Sequence, residues 1–317
     1  MRVLVIWYSV TDTTRQVAEH IIEGLEAHGA EVVSHDLRTG PAPDASSFDV
    51  VGVGFPVHWY RMPRPVRDAI AALGDRDGRP WFAFVLNATY RGAALDQVRE
   101  AVQRTGGREI GVFTCRGRGR FLGYSLLGYQ FSPDHPDARE LADARAFGES
   151  IAAPHGSTDA GLGRARSPRD PRTHWVYALE RAFASPWLTR LFYSRWFRVD
   201  ASLCTRCGRC ARVCPSHNIA WEKGGIPTWG RDCVLCLTCA EVCPERAIRC
   251  PIDWAVFRPF LAYNVRRGAR DPGLTHARIE LRRGRIVRLS APVAGGVARA
   301  AEERPHAAAN GRDRDRG

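Results

Sequence analysis

Two short runs of cysteine constrain this chain more than any other feature. The first begins at Cys204 and the second at Cys233, and each reads C-x2-C-x2-C-x3-C-P, ending at Pro215 and Pro244. This is the ligand spacing of paired [4Fe–4S] clusters, in which the fourth cysteine of each run binds the other cluster. The proline that follows has no N–H and fixes the turn after the fourth ligand.

The spacing therefore assigns eight cysteines to two clusters. The first set is Cys204, Cys207, Cys210 and Cys243, and the second set is Cys233, Cys236, Cys239 and Cys214. Two structural zinc sites are the main alternative, but zinc ligands usually come as separated pairs, often with histidine. A disulfide framework is a less favoured alternative than zinc, because nothing in the sequence indicates secretion. The two remaining cysteines, Cys115 and Cys250, are predicted to be small buried apolar side chains.

The length and the apolar pattern limit the class of protein. A chain of 317 residues has room for about two domains. No run of 18 apolar residues is present, so no transmembrane helix is predicted. The apolar start at residues 3–8 is too short for a signal peptide. We therefore expect a cytoplasmic protein with reduced thiols.

The net charge of +12 invites a nucleic-acid interpretation, but the distribution of charge argues against it. Residues 258–317 contain 14 arginines against 6 aspartates and glutamates, a net charge of +8. This segment therefore carries two-thirds of the net charge of the whole chain. The stretch from about residue 291 onward is rich in Ala, Gly, Arg and Asp and is expected to be disordered. A solvated basic tail is favoured over a nucleic-acid arm. Peripheral contact with an anionic membrane remains an alternative.

The N-terminal half alternates apolar strands with amphipathic helices. Strands are predicted at residues 2–8, 31–35, 49–54, 81–86 and 109–113. Helices are predicted at residues 15–27, 65–73, 93–105 and 136–152. This order predicts a doubly wound α/β fold with a parallel sheet and right-handed crossovers. Ligands of such sheets bind at the carboxyl ends of the strands.

Three loops follow those strand ends. Residues 9–14 place hydroxyl and N–H groups at a helix N-terminus, which suits a phosphate. Residues 54–63 carry aromatic side chains that can cover a flat ring, and residues 87–92 add another exposed aromatic. Helix capping or core packing explains each loop alone, but the three together favour a flavin. The predicted flavin site is Ser9, Thr11, Thr13, Thr14, Pro56, Val57, His58, Trp59, Thr89 and Tyr90.

These loops carry a family resemblance. Residues 1 to about 152 resemble flavodoxins, whose phosphate loop (S/T)-x-T-G-x-T is matched by Ser9, Thr11 and Thr14. The segment G-F-P-V-H-W is similar to the G-x-P-x-x-W loop that covers the isoalloxazine ring. With the cysteine runs, the whole order resembles bacterial flavodoxin–ferredoxin fusion proteins. The resemblance implies a five-stranded sheet in the order 2-1-3-4-5, a small α+β ferredoxin-like domain, FMN and two [4Fe–4S] clusters.

One position departs from the flavodoxin pattern. Asp12 stands where the phosphate loop usually has glycine. Its carboxylate repels a phosphate and its backbone lacks the freedom of glycine. Either Asp12 points outward and caps the helix, or FMN is bound weakly or not at all.

The resemblance divides the chain into five segments. They are a flavodoxin-like domain (1–153), a linker (154–172), an aromatic amphipathic helical connector (173–196), a ferredoxin domain (197–257) and a basic extension (258–317). The connector is expected to pack between the domains, with a membrane surface as the alternative. Arg116, Arg118 and Arg120 alternate with glycine and predict a mobile basic loop, with a flavin phosphate, a nicotinamide dinucleotide or an acidic partner as alternative contacts. Residues 277–289 predict a hairpin around Arg283 and Gly284.

The predicted function is electron transfer between FMN, two clusters and a redox partner protein or small-molecule acceptor. One alternative is an FMN- and NAD(P)H-dependent oxidoreductase with its own substrate. An iron–sulfur redox sensor ranks last, because no helix-turn-helix is recognisable. No catalytic residues are predicted, and His58 is expected to be an ordinary loop histidine rather than a proton donor.

Overall fold

The computed structural model of the chain describes residues 1–153 and 175–295. The predicted linker at 154–172 and the basic tail beyond residue 295 lie outside the described residues. Within the described ranges, no helix is both long enough and apolar enough to cross a membrane.

The first domain is a five-stranded parallel sheet flanked by helices. Its strands are β1 (Arg2–Trp7), β2 (Glu31–Asp36), β3 (Val50–Pro56), β4 (Pro80–Asn87) and β5 (Arg108–Arg116). Its helices are α1 (Thr13–Ala27), α2 (Arg64–Ala72), α3 (Ala94–Gln103) and α5 (Ala138–Ala152). The strands pair in the order β2-β1-β3-β4-β5, and every pairing is parallel. The predicted α/β flavodoxin-like topology is confirmed.

The sheet separates two hydrophobic cores. Alternate side chains of β1 enter opposite layers, so that Leu4 and Ile6 pack on one face while Val3 and Val5 pack on the other. Helices α1 and α5 cross closely on the second face, because Gly24 and Gly148 bring the backbones together. A Cβ at Gly148 would lie 2.1 Å from the carbonyl oxygen of Ile21.

Between β5 and α5 the chain forms a short helix and a sixth strand. These are α4 (Leu122–Leu126) and β6 (Tyr129–Phe131). The arginine–glycine stretch before them is held in place, since Arg118 Nε donates to the Pro133 carbonyl at 3.0 Å and Arg120 Nε contacts Glu241 at 2.9 Å. The expected mobile basic loop is therefore wrong for these two side chains.

The cysteine runs form a small α+β domain with an internal repeat. Its elements are β7 (Arg198–Val199), α8 (Arg209–Arg212), β8 (Ile219–Ala220), β9 (Thr228–Trp229), α9 (Thr238–Glu241) and β10 (Ile248–Arg249). Strand β7 pairs with β10, and β8 pairs with β9. Left-handed backbone recurs at equivalent positions of the two halves, in the pairs Arg206 and Leu235, Gly208 and Leu237, and His217 and Arg246.

The connector contains two helices, α6 (Trp175–Phe183) and α7 (Pro186–Leu191). Ala184, Leu188 and Tyr193 pack into the core that surrounds the cysteines. The other face is open, with Trp187 69% exposed. The connector thus packs on the cluster domain, and Arg61 of the first domain donates to its Arg181 carbonyl, as expected for packing between the domains. Contact of its open face with a membrane surface stays an untested alternative.

Residues 258–295 fold back onto both domains. They form α10 (Arg258–Arg270), β11 (Thr275–Arg282), β12 (Arg285–Arg288) and β13 (Val293–Ala294). Strands β11 and β12 make the predicted hairpin, and β11 also pairs with β6 of the first domain. Because β13 pairs with β11, the expectation of disorder from about residue 291 is wrong for residues 291–295. This segment closes the groove between the two domains.

Candidate flavin and iron–sulfur sites

A cavity lies at the carboxyl edge of the sheet, where the three predicted loops meet the cysteine domain. Eight of the ten predicted flavin-site residues line it: Thr11, Thr13, Pro56, Val57, His58, Trp59, Thr89 and Tyr90. The cysteine domain contributes Leu235, Cys236 and Thr238 to the same cavity. The edge predicted for the flavin is therefore also the edge against which one cysteine run packs.

The other two predicted residues lie in the loop before α1. The hydroxyls of Ser9 and Thr14 are buried and have no hydrogen-bond partner among the described residues. Buried polar groups in proteins are rarely left unpaired. Two orphaned hydroxyls at a helix N-terminus fit the phosphate of a flavin nucleotide.

Asp12 points away from this loop. Its backbone is left-handed, with φ of 63°, and its side chain makes no capping hydrogen bond. The carboxylate is 61% exposed and lies 3.5 Å from Arg15 Nε. The outward orientation predicted as one alternative is present, but the expected helix cap is wrong. Arg15 offsets part of the charge that would otherwise oppose a phosphate.

The second loop forms a tight turn that presents an indole to the cavity. His58 and Arg61 exchange backbone hydrogen bonds of 3.1 and 2.9 Å, which places Trp59 and Tyr60 at φ of 50° and 60°. Left-handed backbone is uncommon for bulky residues and marks functional sites when it occurs. The Trp59 indole N–H donates to the Leu235 carbonyl oxygen at 3.1 Å, between two predicted cluster ligands. The turn thus ties the flavin edge to the cluster loop.

His58 is held in its neutral form. Burial lowers the pKa of His58 to about 4, and its Nδ1 is buried without a partner in the described chain. The ring packs edge-on against Tyr8, with centroids 5.9 Å apart. An imidazole with this pKa is uncharged at neutral pH, and the expectation of an ordinary loop histidine stays a prediction.

Tyr90 in the third loop is buried, so the expectation of an exposed aromatic is wrong. Helix α10 covers it, and the Tyr90 hydroxyl donates to Asp271 Oδ2 at 2.6 Å. The Arg267 guanidinium lies over the Tyr90 ring, 5.7 Å from its centroid. The ring therefore anchors the C-terminal segment and also lines the flavin cavity.

Sequence reasoning missed Glu180, which also lines the cavity. Its carboxylate accepts hydrogen bonds from Asn264 and Tyr60. Burial raises the pKa of Glu180 to about 7, against the weaker opposing effect of those hydrogen bonds. The only sequence signal was one acidic residue within an otherwise aromatic stretch, and nothing there indicated which way it would face.

The cysteines of the first set surround one small cavity in the cysteine domain. Cys204, Cys207, Cys210 and Cys243 all line it, and Cys207 is exposed. Backbone N–H groups donate to sulfur at matching positions of the two runs: Arg206 to Cys204 (3.4 Å), Leu235 to Cys233 (3.3 Å), Asn218 to Cys214 (3.3 Å) and Ala247 to Cys243 (3.3 Å). Such N–H···S bonds tune the potential of a cluster.

The second set is more deeply enclosed. Burial raises the pKa of Cys233 to about 12, and the neighbouring Cys236 and Cys214 raise it further. Burial likewise raises the pKa of Cys239, with Cys236 and Cys233 adding to the shift. Thiols in such a site ionise when they bind a strongly charged metal group. As predicted, both remaining cysteines are buried, Cys115 in the core of the first domain and Cys250 in the core of the cysteine domain.

The spacing of the sulfur atoms does not fit single zinc ions. Tetrahedral zinc with Zn–S bonds of about 2.3 Å needs sulfurs about 3.8 Å apart. Across residues 1–153 and 175–295, the one candidate group of three or more ligand atoms within 4.8 Å of one another is His135, Asp137 and Glu140, which contains no cysteine. No three of the cysteine sulfurs in these ranges are as close together as single zinc ions require, and the assignment of the ligands to two clusters stays a prediction.

Comparisons with known proteins agree with this architecture. A flavodoxin-domain model matches residues 4–127, and a 4Fe-4S dicluster-domain model matches residues 203–248. A search of curated proteins returned no match.

Solved structures similar to the chain include three flavodoxins. An archaeal flavodoxin is 18% identical, with a TM-score of 0.38, and the match covers 48% of this chain and 96% of that one. Flavodoxin 1 of Bacillus cereus is 17% identical (TM-score 0.36; 47% and 95% covered), and the Megasphaera elsdenii flavodoxin is 22% identical (TM-score 0.36; 47% and 98% covered).

The two domain matches define the class: the chain is an electron-transfer iron–sulfur flavoprotein whose cofactors are FMN and two [4Fe–4S] clusters. A flavodoxin domain followed by a dicluster domain is the arrangement of a flavodoxin–ferredoxin fusion, and the chain is such a fusion.

Proposed function

We propose that the protein passes electrons directly between FMN and its own clusters, and exchanges them with a separate redox partner. The observation that supports this is the shared cavity, which is lined by Trp59 and His58 from the first domain and by Cys236 from the cysteine domain. The hydrogen bond from Trp59 to Leu235 fixes the distance between the two sites. A flavin ring held against Trp59 would lie beside the cluster loop.

The route would run from the flavin to the more enclosed cluster and then to the more exposed one. When bound, FMN exchanges two electrons and each cluster exchanges one. Cys236 borders the flavin cavity, whereas none of Cys204, Cys207, Cys210 and Cys243 lines it. Cys207 reaches the surface and would mark the exit toward a partner.

Anaerobic purification with iron, sulfide and flavin assays per chain tests the cofactor content. We expect about eight irons, eight sulfides and one FMN. Eight irons without flavin, even after FMN is added, would remove the flavin from the proposal.

A kinetic experiment tests the transfer itself. Photoreduction of the flavin by a light pulse should reduce a cluster, observed as an electron paramagnetic resonance signal, with a rate independent of protein concentration. A rate that rises in proportion to protein concentration would show transfer between molecules and contradict the proposal.

Glu180 favours a second candidate function, a flavin-dependent reductase with its own substrate. A carrier of single electrons needs no proton donor, whereas reduction of an organic substrate does. A carboxyl group with a pKa near 7 is suited to that task. Steady turnover of an acceptor with a nicotinamide donor, and no added protein, would distinguish the reductase from the carrier.

A further inference from the structure

Five arginines from three parts of the chain line one recess beside the flavin cavity, here called the arginine pocket. Arg118 and Arg120 come from the loop after β5, Arg209 comes from the first cysteine run, and Arg285 and Arg288 come from β12. The recess has a volume of about 570 Å³. This is within the range of about 300–1,000 Å³ that is usual for small-molecule sites.

The hairpin that supplies two of the arginines is fixed against the cysteine domain. Gly284 at its tip has φ of 70°, and a Cβ there would lie 2.1 Å from the Val242 carbonyl oxygen. Val242 directly precedes the predicted ligand Cys243. The close approach therefore holds Arg285 in place over the cluster domain.

The positive charge in the arginine pocket is only partly compensated. Arg120 pairs with buried Glu241 at 2.9 Å, and Arg288 pairs with Asp134 at 2.6 Å. Arg118 donates to the Pro133 carbonyl oxygen and has no carboxylate partner among the described residues. Neither Arg209 nor Arg285 has a carboxylate within 4.0 Å in the part of the chain that the structure describes. Arg118, Arg209 and Arg285 thus face one recess without a carboxylate partner among the described residues, and Arg209 also lines the cavity of the first cysteine set. The excess of positive charge favours binding of an anion.

The arginine pocket adjoins the flavin cavity. Arg118, Arg120 and Gln130 line both spaces. A ligand held by its anionic groups in the arginine pocket would therefore lie directly beside the flavin cavity. Guanidinium forks bind phosphate oxygens in pairs, and several converging forks suit a group with two phosphates.

We propose that the arginine pocket binds the pyrophosphate of a nucleotide, and that the rest of the nucleotide lies on the side of the pocket that adjoins the flavin cavity. A recess suits a small ligand better than the convex surface of an acidic protein. The inference does not depend on direct transfer between flavin and clusters, because it concerns binding alone.

Isothermal titration of the flavin- and cluster-loaded protein with inorganic pyrophosphate, at low salt and without oxygen, tests the site. We expect one saturable site, tighter binding of ADP, and no binding of adenosine. Arg285→Ala should weaken pyrophosphate binding about tenfold, the loss of one charge-assisted pair. Arg209→Ala with Arg285→Ala should weaken it further. Arg139→Ala, an exposed arginine on α5, is the matched control and should bind as the original chain does.

Three results would overturn the proposal. One is the absence of saturable binding to the loaded protein, and another is undiminished binding by Arg285→Ala, which leaves the cysteine runs untouched. The third is release of FMN by pyrophosphate, which would assign the arginines to the flavin phosphate. If pyrophosphate does not bind but Arg285→Ala slows electron exchange with an acidic carrier protein, the arginines form a docking surface instead.

Discussion

Replacement of Glu180 by glutamine should change how the stability of the protein depends on pH. Glutamine keeps an oxygen that can accept from Asn264, but it cannot ionise. Burial raises the pKa of Glu180 from its ordinary value of 4.5 to about 7 in the folded protein. The folded state therefore holds this proton more tightly than the unfolded state does.

The sign and size of the effect follow from linkage. The contribution of Glu180 to stability is fully present below about pH 4.5 and is lost as the pH rises to about 7, where the folded protein must bury a carboxylate. The shift corresponds to up to about 3 kcal/mol. At pH 8, Glu180→Gln should accordingly be more stable than the original chain by up to about that amount, and the gap should close toward pH 4.5.

Urea unfolding of both proteins between pH 4.5 and 8, under anaerobic conditions, measures the gap. Glu23→Gln, on the exposed face of α1, reports what the loss of a surface carboxyl group does to the same curves. Infrared spectra supply an independent test. The original chain should show the carbonyl band of a protonated carboxylic acid, and Glu180→Gln should lack it. A constant gap across this range, or disappearance of that band below pH 5, would refute the reasoning.

Three further changes have expected outcomes. Asp12→Gly removes a left-handed aspartate and a nearby carboxylate, so FMN affinity, measured by fluorescence titration, should rise about fivefold, and an unchanged affinity would contradict the strain argument. Gly148→Ala places a methyl group against the Ile21 carbonyl oxygen and should cost about 2 kcal/mol in urea unfolding; no loss would mean that α1 and α5 cross less closely than described. Trp59→Phe removes the bond to Leu235 and should destabilise the protein by about 1 kcal/mol while slowing flavin-to-cluster transfer; an unchanged rate would separate this bond from the transfer route.

The sequence predicted the parts of this protein that depend on local pattern. The strands of the first domain are continuous apolar runs, and the cysteine spacing is a ligand pattern in itself. The ten flavin-site residues follow strand ends, and eight of them do line one cavity. In each case the relevant residues are close together in the chain or obey a rule of sheet topology.

The residues that were missed depend on contacts between distant segments. Glu180 meets Asn264 across 84 positions of the chain, and Tyr90 meets Asp271 across 181. The expectation that Tyr90 is exposed was reasonable for its loop alone and was wrong because α10 covers it. No local periodicity encodes which surface a later helix will cover.

The same reasoning explains why the C-terminal segment matters to both cofactor sites. Residues 258–295 looked like a basic extension because arginine dominates their composition. Strand β11 nevertheless buries Ala277 and Ile279 on one face and His276 on the other, and it pairs with β6 on the first domain. The tip of the same hairpin packs against the chain that leads into Cys243. Loss of β11 and β12 would therefore unpair β6, which lines the flavin cavity, and remove Arg285 and Arg288 from the arginine pocket. A segment whose composition indicates a solvated surface thus contributes residues to the lining of the flavin cavity and of the arginine pocket.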